Sequence, residues 1–119
     1  MHAVVNAFRW VDLEDREPDA SRDDAHELLE IYVGTDIGHG QDRFQVEVVT
    51  PKALARCLEE RPIMLGVHYL IVREFNPSAV ERHLKSVIES IEASTWEGVA
   101  NIVDRIAEWE FGPDLAELS

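Results

Sequence analysis

The chain has 119 residues, enough for one domain and too few for two good cores. Its 24 acidic residues outweigh 11 basic ones, a formal charge of −13 that repels nucleic acid and anionic membranes, because both are recognised through lysine and arginine. One cysteine, Cys57, excludes an intramolecular disulfide; with no hydrophobic leader and no apolar run near the roughly 20 residues of a membrane helix, a cytoplasmic location is expected.

Residues 2 to 10 open with an apolar run and then alternate, which predicts a first strand. The second, 27 to 34, sets Leu29, Ile31 and Val33 on one face and Leu28, Glu30 and Tyr32 on the other. The third, 43 to 49, points Phe44, Val46 and Val48 inward and Gln45 and Glu47 outward. Gly34, Gly38 and Gly40 between them predict a hairpin, not a phosphate loop, since no lysine follows in the required pattern.

Thr50-Pro51 is a helix start: threonine can accept from an orphan amide and proline pre-sets the first turn. This helix should run to about Arg61, where Pro62 ends it. Cys57, beside Leu54 and Leu58, reads as a small core side chain. Residues 68 to 74 predict a fourth strand whose dense apolar run suggests an interior place in the sheet. Asn76-Pro77 repeats the cap-and-proline signal, and Val80, Leu84, Val87, Ile88 and Ile91 fall in one arc, with Arg82, Lys85 and Glu89 opposite.

Ser94 and Glu97 fit a capping box for a last helix, expected to continue to Gly112-Pro113. Trp96, Val99, Ala100, Val103, Ile106 and Ala107 would share its buried face, with Trp109 on the flank beside Ile102. Glu110 would fall about 40° from the axis of that face, so its carboxylate needs a partner such as Arg9, Arg56 or Arg73, or a strand end to cap. The order is βββ-α-β-α-α: one α+β domain over 1-119, a four-stranded, mostly antiparallel sheet with three helices on one face.

No catalytic or metal motif emerges. His2, His26, His39, His68 and His83 are scattered, and the acidic pairs Asp23-Asp24, Glu59-Glu60 and Asp104 with Glu108 lack a histidine or glycine-rich context. No cofactor is therefore expected. The segment Asp12 to Asp24 stands out: seven acidic residues, two arginines and no periodicity, a long exposed loop of the kind that is often functional. A solvated spacer is the plainer account of it.

Strand Phe44–Val49 running into Thr50-Pro51-Lys52-Ala53-Leu54, then the strand Leu70-Ile71-Val72, an amphipathic helix, Trp96-Glu97 and a closing Trp109-Glu110-Phe111 form an ordered set. In that order the chain resembles the immunity protein 8 family of bacterial polymorphic toxin systems. The resemblance runs over nearly the whole length and implies a small cytoplasmic protein that binds and blocks a cognate toxin, without catalysis. It maps the family's hallmark residues to Gly34, Phe44, Thr50, Pro51, Leu54, Trp96, Trp109, Glu110 and Phe111, mainly as fold determinants. The toxin-contacting groups are then expected on the acidic surface: Asp12, Glu14, Asp15, Glu17, Asp19, Asp23 and Asp24, facing a basic partner. Two rivals stand beside this reading: a pocket-bearing enzyme or ligand-binding domain, which needs convergent polar groups on the inner sheet face, and a homodimeric module joined through Trp109 and Ile102.

Overall fold

The computed structural model describes residues 1–13, 21–38 and 40–113. Three long strands form first: β1 (Ala3–Trp10), β2 (His26–Thr35) and β3 (Asp42–Val49). They pair antiparallel in chain order, with Val5 opposite Val33, and Ile31 opposite both Phe8 and Phe44. The alternation read from the sequence holds: Leu29, Ile31, Val33, Phe44, Val46 and Val48 are fully buried on one face. A bulge in β1 between Val5 and Ala7 shifts its register. Glu89, expected to face outward, instead accepts the Val5 N–H at 3.0 Å.

Helix α1 (Pro51–Glu60) then carries the chain across to β4 (Tyr69–Ile71), which lies parallel to β3 because a helical crossover returns the chain in the same direction. β4 does not occupy an interior place. It ends the order β1-β2-β3-β4, only three residues long, and Ile71 is 59% exposed. The apolar run Leu70–Val72 is dense because Leu70 and Val72 pack on the core from the edge, not because the strand is covered on both sides.

Helix α2 (Pro77–Glu89) starts as expected, with the Asn76 side chain accepting from the Ala79 N–H at 3.1 Å. Val80, Leu84 and Ile88 seal the apolar face of the sheet, while Val87 stays partly exposed. Helix α3 (Trp96–Val103) is capped by Thr95, not Ser94: the Thr95 hydroxyl accepts from the Gly98 N–H at 3.0 Å. Its Val99, Ala100 and Val103 complete the core.

α3 stops at Val103, well short of Gly112-Pro113. A turn over residues 104–107 reverses the chain into β5 (Glu108–Trp109), which pairs antiparallel with Phe44 and Gln45 of β3. The observed order is thus βββ-α-β-α-α-β, the expected α+β architecture with a fifth, two-residue strand.

α1 contributes little to the core. Ala53 is its one buried residue, Leu58 is exposed, and Cys57 is half-buried with its sulfur 3.7 Å from His26 Nδ1 in place of the expected core contacts. Thr50 explains how α1 is nevertheless fixed. Its hydroxyl makes no capping bond; it accepts the Ala25 N–H at 2.9 Å and donates to the Ala25 carbonyl at 3.3 Å, fully buried. The start of α1 is therefore tied to the entry of β2. Gly34 serves a similar closeness: a Cβ there would stand 2.4 Å from the Gly40 carbonyl oxygen, so the hairpin ends approach only because the side chain is missing.

Replacing Thr50 by valine strands a buried amide and should cost about 1–3 kcal/mol. Thr50→Ser, which keeps the oxygen, should cost less. Urea midpoints of the two variants test this, and equal midpoints would show that the Ala25 bonds contribute nothing.

Candidate partner-binding surface

The acidic segment divides into three parts. Asp12 is exposed just beyond the end of β1, and Asp23 and Asp24 are exposed just before β2. Glu14, Asp15, Glu17 and Asp19 lie outside the described residues. Asp23 and Asp24 already have partners on α1: Lys52 Nζ is 2.7 Å from Asp23, and the Arg56 guanidinium binds both Asp24 oxygens at 2.5 and 2.6 Å. That fork holds the Asp24 carboxyl below its ordinary range, chiefly through the hydrogen bond from Arg56. With Ser21, Arg22 and Glu74 they line an open depression of about 500 Å³. The two pairs thus clamp Asp23 and Asp24 to α1.

Five of the hallmark residues, Phe44, Trp96, Trp109, Glu110 and Phe111, gather at the start of β3, while Thr50, Pro51 and Leu54 lie past its other end, at the start of α1. Asp42 Oδ2 accepts from the Trp96 Nε1–H at 3.2 Å and from the Trp109 Nε1–H at 3.0 Å. Phe44 lies under both rings, stacked on Trp109 (16° between planes) and edge-on to Trp96 (78°). The Trp109 N–H donates to Asp104, the residue that caps the end of α3. Trp109 and Ile102 are both half-buried against the core.

Glu110 is not on a helix. It follows β5, where its carboxylate accepts the Arg43 N–H at 2.9 Å while its own N–H donates to the Arg43 carbonyl at 3.1 Å. It caps the edge of β3, and its cation is Arg43, 4.0 Å away. None of Arg9, Arg56 and Arg73 fills that role; Arg9 and Arg56 bind Glu30 and Asp24. Phe111, edge-on to Trp109, is largely exposed.

Sequence reasoning missed two features. The first is Glu30, placed with Leu28 and Tyr32 on the second face of β2 and almost fully buried there. It receives Arg9 at 2.6 Å, with Tyr32, Arg43 and Gln45 at 3.3–3.4 Å. The register Arg9–Glu30–Gln45 across three strands is its only sequence signal, and that needs the pairing to be known. The hydrogen bond from Arg9 outweighs desolvation and lowers the Glu30 carboxyl below the ordinary glutamate range. The second is the apolar link Pro62–Val67, which has neither helical nor strand period; Ile63 and Leu65 stand in solvent.

Among the described residues no group of three or more histidine, cysteine or acidic side chains is placed to hold a metal ion. No described helix is long and apolar enough to cross a membrane.

Comparison with known proteins gives one positive finding: the family model described as Immunity protein 8 matches residues 4–113. No curated protein and no solved structure is a significant match.

Two expectations follow from the geometry. Asp42→Ala removes the shared acceptor of two half-buried indoles and should cost about 1–3 kcal/mol in urea unfolding, with a red-shifted tryptophan emission. Glu30 should make stability pH-dependent. Its folded pKa is lowered, so its contribution is complete above the unfolded glutamate value of about 4.3 and disappears as pH falls through the folded value. Glu30→Gln should therefore be less stable than the wild type at pH 7, with the gap narrowing below about pH 4. Parallel unfolding curves at every pH would remove Glu30 from the account.

Proposed function

The chain belongs to the Immunity protein 8 family, and from that membership we propose that it is a non-catalytic, cytoplasmic immunity protein that binds and neutralises a cognate toxin of a bacterial polymorphic toxin system. The observation that carries this reading is the family match over residues 4–113, which takes in every strand and helix except the first residue of β1.

Charge supplies the mechanism. A protein of formal charge −13 draws a basic partner toward it and orients the encounter. A toxin that works on nucleic acid carries a basic cleft for phosphates, and carboxylates can occupy such a cleft as phosphate mimics. Asp12, Glu14, Asp15, Glu17, Asp19, Asp23 and Asp24 are the groups we assign to that contact. Asp23 and Asp24 suit it because Lys52 and Arg56 fix their direction before the partner arrives.

The experiment is co-expression with the protein encoded by the neighbouring gene, scoring growth and co-purification together. Rescue of growth with a stable complex is the expected result; neither would overturn the proposal. In the complex, raising sodium chloride from about 50 to 500 mM should slow association about tenfold or more and leave dissociation nearly unchanged. An association rate indifferent to salt would remove the electrostatic mechanism.

A further inference from the structure

β3 offers one edge to β2 and the other to two short strands laid end to end: β4 along Glu47–Val49 and β5 along Phe44–Gln45. Along this second edge the chain exposes large apolar side chains. Ile63 is 92% exposed and Leu65 73%, both on the link that leads into β4, and Ile71 and Phe111 follow on and after the two strands. Large apolar side chains exposed along a sheet edge invite association, and chains without a partner for them cover them or interrupt them with charge.

The link is held at both ends. Arg61, which closes α1, donates to the Tyr69 hydroxyl at 3.5 Å. His68 adopts φ +61°, an uncommon conformation for a side chain of its size. It is kept there by its carbonyl, which accepts the Glu47 N–H at 3.0 Å, and by its ring, which meets the Asp104 carbonyl. Ile63 and Leu65 are thus presented between fixed points.

Exposed charges of both signs flank the edge, with the acidic ones in excess: Glu59 and Glu60 on α1, Glu74 after β4, and Glu108 and Glu110 on and after β5, against Arg61, Arg73 and Arg105. That excess, on a chain of formal charge −13, argues for the occupant. Two copies of the chain repel each other through their net charge, and an anionic membrane is repelled in the same way. A partner with an apolar recess rimmed by lysine and arginine satisfies both the ridge and the acidic excess around it.

We infer that the link Ile63–Val67 and the β4 edge form the docking surface for the toxin, with Ile63 and Leu65 entering an apolar recess whose rim is basic. The inference rests on the toxin-neutralising reading and adds an apolar anchor to its acidic contacts. Such anchors carry most of the energy of an interface, while the surrounding charges set rate and specificity.

The test uses the full chain and the product of the neighbouring gene. Ile63→Asp with Leu65→Asp should weaken binding about 100-fold or more and abolish growth rescue. The thermal midpoint should stay unchanged, because both side chains are in solvent. Leu65→Ser, a milder change, should weaken binding about tenfold and guards against loss of folding in the double variant. Wild-type binding with a double variant that binds within about threefold would overturn this surface and leave the immunity reading intact. A wild type that neither binds nor rescues overturns both. Light scattering on the protein alone supplies the last outcome: a dimer that the double variant makes monomeric would assign the edge to a second copy and overturn the inference.

Discussion

One carboxylate oxygen ties α3 and β5 to the start of β3. Asp42 opens β3, and its Oδ2 receives indole N–H groups from residues 54 and 67 positions further on. A buried indole needs an acceptor, and a single acceptor for two forces the rings together over Phe44. From that follow the end of α3, the turn through Asp104, and the seating of β5 on the first half of the β3 edge. Trp10 obeys the same rule from the other side of the core, donating to Glu81 on α2 while its ring meets Phe75 edge-on. All three tryptophans are thus oriented by carboxylates.

The acidic composition then has a second use besides the field it projects. Glu30, Glu27, Asp23 and Asp24 draw in Arg9, Arg22, Lys52 and Arg56, so that basic side chains are committed to internal pairs. The Lys52–Asp23 and Arg56–Asp24 pairs are exposed and individually weak. Glu30 differs, since its carboxylate is out of water and depends on its donors. The outward balance is left to acidic groups such as Asp12, Glu59 and Glu60.

The first three strands and α2 were legible because period and punctuation agree there: alternation in β2 and β3, a glycine hairpin, and Asn76-Pro77 before a clean amphipathic arc. The start and buried face of α3 were legible too, but its end was not, because nothing in Asp104–Trp109 breaks a helix. Its reversal is imposed by Asp42 and Phe44, which the sequence places about 60 residues away. The same tertiary override moved Glu110 from a helix face to a strand end. Its expected need of a partner was sound physics applied to the wrong element. β4 failed for a different reason: an apolar triplet reads alike in a sheet centre and at an edge, and only the crossover through α1 decides. Of the seven acidic residues in the segment, Asp12, Asp23 and Asp24 lie within the described residues, and the clamp of Asp23 and Asp24 to α1 depends on Lys52 and Arg56, far off in sequence.

The arrangement of strands also sets a timetable for synthesis. β3 is complete at Val49, but the strands that cover its second edge arrive only at residues 69–71 and 108–109. At elongation rates of about 5–20 residues per second, the last of them follows β3 by roughly 3–12 s. For that interval the Phe44–Gln45 stretch of β3 has one side unpaired, and the pair of indoles that will lock it has not yet been made. Protection of that edge belongs to whatever meets the emerging chain, and the fold closes only when its final tryptophan has left the ribosome.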